Sequence, residues 1–376
     1  MHQSALGPWV LSRYDDVNRL LRDPATSVDR SELPPGSSDR NTLVTEAFGD
    51  RRNRGARAIL NTDPPDHTRL RRLVSKAFTP RMVEGLRPRA QAITDDLLEG
   101  VDGDEVDLIG ALAFPLPFTV ICDMLGMPVG ATRDEVRAWS HALAGALEPV
   151  ISVEQANAAA DASDLLRAHL IEVLEAKRRE PGDDLLTALL HAEDDGDVLS
   201  TDELLDQVNL IFVAGHETTV NLIGNGTLAL LHHRRQLERL AAAPELLPTA
   251  VDELLRWDSP VQFSRRILLH DLDFGGTTIP AGSFVLTALG SANRDPHKWG
   301  DTADELDLGR DGAGQHLSFG AGVHHCLGAA LARVEGQVAF GSLLARYPKL
   351  DLATDEPAWN GRVLLRGLDS LPVSLA

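Results

Sequence analysis

Cysteine and basic charge are both scarce in this 376-residue chain. Two cysteines, Cys122 and Cys326, cannot build a disulfide framework, and no C-x-x-C pair is present. This usage is typical of a reducing, cytoplasmic environment. Lysine and arginine number 36 against 56 aspartate and glutamate residues, which gives a net charge of −20. Such acidity argues against general binding to nucleic acid or to an anionic membrane surface.

The segments that direct a chain into or across a membrane are also missing from the sequence. Its start, M-H-Q-S-A-L-G-P-W-V, has no basic stretch followed by an apolar one, so no signal peptide is predicted. No uncharged apolar run is long enough to span a bilayer. Hydrophobic residues make up 43% of the chain, which is enough to bury a sizeable core. We therefore expect a globular, cytoplasmic protein.

Most of the sequence shows the periodicity of helices. It predicts helices over His67–Phe78, Arg133–Leu147, Ser163–Arg179, Leu185–His191, a capped Ser200 to His233, Asp252–Trp257 and Leu327–Tyr347. Between Arg265 and Leu286 the pattern changes to short strands and turns. Without repeats or a low-complexity linker, we predict one mostly α domain over residues 1–376. Its small β portion is predicted at roughly 258–320 and 350–376.

One of the two cysteines stands in a glycine-rich stretch, F-G-A-G-V-H-H-C-L-G, from Phe319 to Gly328. A lone cysteine there is either a packed thiol or a ligand. Cys326 comes just before a predicted helix, where backbone N–H groups and the helix dipole favour a thiolate. The glycines at 320, 322 and 328 leave room for a flat group. A thiolate facing a planar metal cofactor suits this pattern better than zinc, which needs more cysteine or histidine ligands.

A second motif, A-G-H-E-T-T, lies inside the longest predicted helix. His216-Glu217 would suit a zinc protease only with a second histidine at position 220, which is Val220. Gly215 weakens the helix by about 1 kcal/mol relative to alanine, and Thr218 can bond back to the preceding turn. An acid beside a hydroxyl at a loosened turn can relay protons. A solvated glutamate beside a threonine bonded to its own helix is the alternative.

Two charged patterns complete the set. Glu253 and Arg256 share one helix face with leucines between them, so the pair is predicted to point inward, with Arg310 as a third member. The helix after D-P-P carries a basic face formed by Arg69, Arg72 and Lys76. A later arginine, Arg333, is grouped with this face. This face is conspicuous in so acidic a chain.

Taken together, these motifs resemble the cytochrome P450s of the soluble bacterial branch. The loop F-G-A-G-V-H-H-C-L-G-A-A-L-A-R looks like their haem-binding loop, A-G-H-E-T-T their oxygen-activating helix, and E-L-L-R their Glu-x-x-Arg pair. H-T-R-L-R, R-R-I-L-L-H-D and A-N-R-D-P match further signatures. Order and spacing agree from about Trp9 to the L-P-V near the end. The family usually carries several tens of residues before W-V-L-S-R-Y-D-D, so the fold is expected to be short at its N-terminus.

The resemblance implies a haem-thiolate monooxygenase with haem b bound through Cys326, the metal ligand. It assigns cofactor contacts to His67, Arg71, Ala214, Gly215, Arg266, Phe319, Gly320, His324, Cys326 and Gly328. His67, Arg71, Arg266 and His324 would hold the haem propionates, whereas His325 would face solvent. Thr218 would hydrogen-bond the bound oxygen, and Glu217 would help to deliver protons through water.

The resemblance also implies partners. Electrons would pass from NAD(P)H through a ferredoxin reductase to a ferredoxin, because the chain has no flavin or iron–sulfur motif. The basic face resembles the family's docking surface for an acidic ferredoxin, and ordinary solvated arginines are the alternative. The substrate would be a hydrophobic small molecule, oxidised with O2, in a pocket that includes the loop before Asp63 and the helices around Arg133–Arg179. Its predicted lining residues are Ala214, Val261, Gln262, Ser264, Leu364 and Leu365. A peroxide-dependent oxygenase and a non-catalytic haem or ligand-binding protein are the alternatives, and a monomer is expected.

Overall fold

The computed structural model describes residues 2–3, 8–34, 55–127, 133–148 and 151–375. These residues form a mostly helical fold with short strands, which confirms the predicted fold class. They separate into two units. The first unit contains residues 1–26, 83–117 and 218–376, and the second contains residues 27–82 and 118–217. The single domain expected over residues 1–376 stays a prediction.

A small sheet in the first unit contains strands β1 (His2–Gln3), β2 (Trp9–Leu11), β7 (Phe263–Leu268) and β10 (Phe284–Ala288). Strand β10 pairs antiparallel with β7 and parallel with β2, and β1 pairs antiparallel with β2. The predicted β portion, which began near residue 258, missed the two N-terminal strands. Strands of two and three residues are too short to show an alternating pattern, and their partners lie far away in the sequence.

Helix α1 (Tyr14–Arg22) packs against this sheet through an apolar face. The core that it forms with the sheet and with α12 (Leu289–Ala292) and α13 (Pro296–Trp299) contains Leu11, Val17, Leu20, Val285, Leu289 and Trp299. Burying each of these side chains contributes about 1.5–3 kcal/mol. The remaining strands of the first unit are short: β4 (Glu105–Asp107), the hairpin β8 (Leu272–Phe274) and β9 (Thr277–Ile279), β11 (Asp351–Leu352), β12 (Ala358–Trp359), β13 (Leu368–Ser370) and β14 (Pro372–Ser374).

The helical part of the first unit is built around α14 (Ala329–Arg346). This helix packs on α4 (Arg87–Glu99), α10 (Arg234–Ala242) and α11 (Leu247–Trp257). The helix predicted over Asp252–Trp257 is therefore longer than expected and begins at Leu247. Residues Ile109–Ala113 form a π-helical turn.

The second unit contains α2 (Asp66–Ala77), α6 (Arg133–Gly145), α7 (Val153–Arg179) and α8 (Leu185–Leu190), with a hairpin of β5 (Glu193–Asp194) and β6 (Asp197–Val198). Helix α7 packs on α6 and α8, and α2 packs on α8 and β5. Strand β3 (Thr26–Ser27) and the helices α3 (Pro80–Gly85), α5 (Pro115–Leu125) and α9 (Thr201–His232) run from one unit into the other. Within the described ranges, no helix combines the length and the apolar character that a membrane span requires.

The two longest of these helices begin at serine caps. At α9, as predicted, the Ser200 hydroxyl accepts the Glu203 N–H and the Glu203 carboxylate accepts the Ser200 N–H, at 3.3 and 2.8 Å. Ser152 and Gln155 make the same reciprocal pair at the start of α7. The predicted start of that helix at Ser163 is therefore wrong by ten residues. The S-x-x-Q signature of a capping box was present in the sequence.

Candidate active site

Cys326 is exposed at the end of the glycine-rich loop, whereas Cys122 is buried in α5. The loop closes on itself because the Cys326 N–H donates to the Phe319 carbonyl at 2.9 Å. Helix α14 begins at Ala329, with Gly328 at its N-cap. The thiol therefore lies three residues before an 18-residue helix, where the dipole favours a negative charge. The structure thus gives the two cysteines different settings, and only Cys326 is open to a ligand.

Two glycines give this loop its path. Gly320 and Gly322 have φ angles of 67° and 72°, a region that glycine adopts without strain. A Cβ atom at position 322 would lie 2.5 Å from the Leu21 carbonyl oxygen, so the loop packs directly on the end of α1. At position 328, by contrast, a Cβ atom would have only the Cys326 sulfur within 4 Å. The conformation of the loop thus depends on backbone contacts that a larger residue at position 322 would block.

Glu253 and Arg256 are both fully buried, as expected for a pair that points inward. Arg256 donates to both carboxylate oxygens of Glu253, at 2.7 and 2.9 Å. Arg310 donates to the same oxygens at 3.1 and 3.2 Å, so it is the third member of the cluster. Arg256 also donates to the carbonyls of Asn293, Ala303 and Glu305. Because its charges are paired and hydrogen-bonded, the cluster is stable in a dry interior.

The residues predicted to hold propionates belong to both units. In the second unit, His67 is buried on α2 one turn before the partly buried Arg71. Burial, and then the Arg71 charge, lowers the pKa of His67, so the imidazole is neutral at pH 7. In the first unit, Arg266 is buried on β7, and its guanidinium donates to the Arg265 carbonyl at 2.7 Å. His324 is partly buried, and His325 is exposed.

The A-G-H-E-T-T motif lies in the middle of α9. Ala214 is exposed there, and Gly215, Glu217 and Thr218 are partly exposed. A Cβ atom at position 215 would lie 2.9 Å from Cδ1 of Ile121, so this glycine also allows α5 to pack closely.

The histidine of that motif, His216, is buried. Its ring contacts Ser140 of α6 at 3.0 Å and the Phe212 carbonyl at 2.8 Å. The neighbouring Glu217 lies 3.9 Å from His141. The motif is thus tied to α6 through two consecutive residues on each helix.

Two segments predicted to line the substrate pocket meet in the first unit. Val261 forms a β-bridge with Leu365, and the Gln262 N–H donates to the Leu364 carbonyl at 2.9 Å. Ser264 follows on β7 and is partly buried. Of the loop expected before Asp63, residues 35–54 lie outside the described part of the chain.

The four cations of the predicted docking face all bind acidic side chains of this chain. In the second unit, Arg69 pairs with Asp197 and Glu203, while Arg72 and Lys76 pair with Asp194 at 3.1 and 2.6 Å. In the first unit, Arg333 pairs with Asp252 at 2.7 Å. All four are therefore paired within this chain, while Arg72 and Lys76 remain 60% and 49% exposed. The acidic hairpin β5–β6 supplies two of the four partners, Asp194 and Asp197, and sequence spacing did not reveal it.

Sequence reasoning missed three polar residues near the cysteine loop. Asn293 is buried, accepts the Leu317 N–H at 2.6 Å and donates to the Ser318 hydroxyl at 2.8 Å. His316 and Asp252 are in contact at 3.3 Å. Asn293 belongs to the A-N-R-D-P signature, so the sequence contained a signal for it. His316 and Asp252 come from distant parts of the chain and had none.

These features place an exposed cysteine just before a helix of a mostly helical protein, and comparison with known proteins identifies its class. A sequence model of the family described as Cytochrome P450 matches residues 37–360. The chain therefore belongs to the cytochrome P450 family. It is a haem-dependent monooxygenase, an oxidoreductase that inserts one atom of O2 into a hydrophobic organic substrate, and its cofactor is haem b.

Individual relatives match nearly the whole chain. Cytochrome P450 107B1 of Saccharopolyspora erythraea is 47% identical over 374 residues, which cover 98% of this chain and 90% of that protein. The vitamin D(3) 25-hydroxylase of Pseudonocardia autotrophica is 44% identical over 375 residues, covering 98% and 88%. The structure of cytochrome P450 PksS of the Bacillus subtilis bacillaene polyketide synthase matches with a TM-score of 0.87 at 38% identity, covering 98% and 90%.

The cysteine loop fits haem b. An exposed sulfur just before a helix is placed where a haem-thiolate site requires its ligand. Gly320 and Gly328 present no side chain beside it, and the would-be Cβ positions of both are open except for one atom each, at 3.9 Å. A planar group can therefore approach the sulfur along the backbone of the loop.

Proposed function

We propose that Cys326 is the proximal thiolate ligand of haem b in a ferredoxin-dependent monooxygenase. The observation that carries this assignment is the exposed thiol on a loop closed by the 2.9 Å hydrogen bond from the Cys326 N–H to the Phe319 carbonyl. When bound, the haem supplies the activation of dioxygen. The N-terminus of α14 stabilises the thiolate through its dipole, while Phe319, Gly320 and Gly328 form the surface beside the sulfur.

The haem propionates would be held by His67, Arg71, Arg266 and His324. Four donor groups, two guanidinium groups and two imidazoles, suit two carboxylates, and a guanidinium fork binds a carboxylate in two-point geometry. His67 is neutral at pH 7 because its pKa is lowered by burial and by Arg71. We therefore expect His67 to donate one neutral hydrogen bond, whereas the arginines supply the compensating charge.

Proton delivery is assigned to Glu217 and Thr218 on α9, beside the small residues Ala214 and Gly215. Both side chains are partly exposed in the middle of the helix, and the turn that follows, from Thr219, is buried. The Thr218 hydroxyl would hold a proton-donating water in place. The Glu217 carboxyl would pass protons from solvent to that point.

Electrons would come from NAD(P)H through a ferredoxin reductase and a ferredoxin that docks at the basic residues of α2. Arg72 and Lys76 are 60% and 49% exposed, so a partner can reach them despite their contact with Asp194. Arg69 is more buried and has two acidic partners, so its contribution to docking is expected to be smaller. Arg333 is 29% exposed, so its contribution is also expected to be smaller.

The substrate is proposed to be a large hydrophobic molecule. Val261, Leu364 and Leu365 are apolar, and Gln262 and Ser264 are neutral, so the predicted lining offers no charge to a polar ligand. Two of the relatives reported above are named for vitamin D(3) and for polyketide biosynthesis. Both names fit a substrate that is mostly hydrocarbon.

The decisive test of the ligand is Cys326→Ala. We expect this variant to lose the thiolate signature in the absorption spectrum of the reduced carbon-monoxide complex. Cys122→Ala is the matched control, because that cysteine is buried and should leave the signature unchanged. A Cys326→Ala protein that kept the thiolate signature would remove the assignment.

Thr218→Ala tests the proton-delivery role. We expect haem binding and the substrate-induced spectral change to survive, while product formed per electron falls and hydrogen peroxide rises, because the hydroxyl no longer directs the proton. Glu217→Gln should slow turnover instead. The measurement is the ratio of product to reducing equivalents with peroxide quantified in parallel. If Thr218→Ala kept the wild-type ratio of product to reducing equivalents, the hydroxyl would have no role in proton delivery.

A further inference from the structure

Behind the cysteine loop, one carboxylate of the first unit joins three separate segments. Oδ1 of Asp252, on α11, accepts a hydrogen bond from Nε of Arg333, on α14, at 2.7 Å. The same oxygen lies 3.3 Å from Nε2 of His316, in the segment before the loop. Asp252 is the residue immediately before the buried Glu253. Burial favours its neutral form, but the His316 and Arg333 contacts outweigh burial and lower the pKa of Asp252.

The hydrogen bonds of His316 define its tautomer. The Ser318 N–H donates to Nδ1 of His316 at 3.1 Å, so Nδ1 carries no proton. Burial lowers the pKa of His316, which keeps the ring neutral, and its single proton is therefore on Nε2. The imidazole thus donates to Asp252 on one side and accepts from the backbone of the loop segment on the other. This fixes the ring plane.

Arg333 and His316 then both contact Phe319. The Arg333 guanidinium carbon lies 4.7 Å from the centre of the Phe319 ring, and the His316 ring centre lies 5.3 Å from it. A cation over an aromatic face and a tilted ring pair are both favourable contacts. The carbonyl of Phe319 accepts the Cys326 N–H. A continuous series of contacts therefore runs from Asp252 through two side chains to Phe319, and then to the cysteine.

We propose that Asp252, His316 and Arg333 form a clamp that positions Phe319 and, through it, the Cys326 thiolate. The three are positioning residues, since none of them is the ligand itself. The inference rests on the proposed role of Cys326. It changes the interpretation of Arg333, which the sequence suggested only as part of a docking face. In the clamp, its Nε donates to Asp252 while its flat guanidinium face covers Phe319, a combination that lysine cannot reproduce.

The clamp and a simple charge effect predict different results for two substitutions. Arg333→Gln removes a positive charge and Asp252→Asn removes a negative one, so an effect of charge alone would move the haem reduction potential in opposite directions. If positioning is lost instead, both substitutions should destabilise the thiolate-bound form. We expect each variant to convert from the thiolate-bound to the thiol-bound carbon-monoxide form about tenfold faster than wild type, the effect of losing one hydrogen bond to a charged group.

The experiment measures that conversion rate and the reduction potential with a chemical reductant, so that no protein partner takes part. Arg333→Lys keeps the charge and should restore only part of the wild-type rate. Arg239→Gln is the matched control, because Arg239 pairs with Asp307 at 2.8 Å on the surface of the same unit. Asp252→Ala is the stronger variant, and Asp252→Asn, which keeps the shape of the side chain, guards against loss of folding.

A double-variant cycle with Phe319→Leu tests the route through the ring. If the clamp acts through Phe319, Asp252→Asn should add little to the rate already seen in Phe319→Leu. Wild-type rates in both Asp252→Asn and Arg333→Gln would overturn the proposal, as would full additivity with Phe319→Leu. A wild-type protein without any thiolate signature would instead overturn the assignment of Cys326, so the two failures are distinguishable.

Discussion

Two clusters of basic side chains, each around one carboxylate, differ in their burial. In the first unit, Glu253, Arg256 and Arg310 are buried, and their hydrogen bonds extend to five backbone groups of the surrounding chain, at Asn293, Ala303, Glu305, Asp307 and Thr302. In the second unit, Arg72 and Lys76 meet Asp194 on the surface. Water can replace the contacts of the second cluster and cannot reach the first.

Exposure to water, rather than the ion pair itself, determines the role of these residues. A buried charge that loses its partner keeps the full cost of its desolvation, whereas an exposed one is rehydrated. The Glu253 cluster is therefore a fixed structural element of the first unit. The Asp194 cluster is adjustable, because its cations can exchange an internal carboxylate for an external one without a large change in free energy.

Glu335 extends the comparison to a third case. This glutamate is fully buried on α14, and no cation pairs with it among the described residues. Burial raises the pKa of Glu335 to about 8, and a hydrogen bond with Thr219 only partly offsets this. Its Oε2 atom has no hydrogen-bond partner within the described part of the chain. Without a cation, burial keeps this acid neutral at pH 7.

The largest effect is expected from Glu253→Ala. The change leaves two buried guanidinium groups without their carboxylate, at a cost of about 3–5 kcal/mol. We expect little folded, haem-loaded protein, measured as yield and haem content after expression. Arg256→Ala should behave in the same way.

Arg239→Ala is the control for this prediction. It also breaks an arginine–carboxylate pair, but Arg239 and Asp307 are each about half exposed. It should cost less than about 1 kcal/mol. Equal losses in Glu253→Ala and Arg239→Ala would show that burial does not separate the two kinds of cluster.

The inward direction of Glu253 was predictable because the leucines beside it give a local pattern. The same holds for the Ser200 cap, the helical periods and the glycine-rich loop, whose signals span a few residues each. The Asp252–His316 contact joins residues 64 positions apart, and the pairing of β2 with β10 joins residues still farther apart. Such contacts arise from packing of the whole chain, so no local pattern could reveal them.

The docking face shows the same limit at the surface. The spacing of Arg69, Arg72 and Lys76 on α2 was readable, because residues three and four apart share a helix side. Their acidic partners on the β5–β6 hairpin were not, because a hairpin of two-residue strands gives almost no periodic signal. Sequence could thus predict which residues are basic, but not which of them already have partners.

A smaller effect, with a defined pH dependence, is expected from Glu335→Gln. The folded protein holds the proton of Glu335 up to about pH 8, whereas the unfolded chain releases it near the ordinary value of 4.5. The folded state binds more protons in this window, so wild-type stability falls as pH rises from about 4.5 to about 8. Glu335→Gln removes this contribution and should be more stable than wild type, by at most about 3 kcal/mol at pH 7.

The measurement for Glu335→Gln is the free energy of unfolding by denaturant at several values between pH 4.5 and pH 8.5. The gain over wild type should grow with pH across that window and then level off. Glu99→Gln, which changes an exposed acid on α4, should show no such trend. A constant difference between Glu335→Gln and wild type at all pH values would mean that Glu335 does not titrate in this range.

The smallest effects are expected at the exposed cluster. They test whether its cations can exchange Asp194 for a carboxylate of a partner. Arg72→Glu with Lys76→Glu should slow reduction by a ferredoxin a few-fold at low salt, and Asp194→Asn should speed it, because it releases two cations to the partner. Both effects should disappear near 1 M salt, where the screening length is about 3 Å. Arg235→Glu, an exposed change on α10, controls for net charge. If Asp194→Asn and the double reversal leave the low-salt rate unchanged, α2 does not dock the partner, and its cations serve only the hairpin.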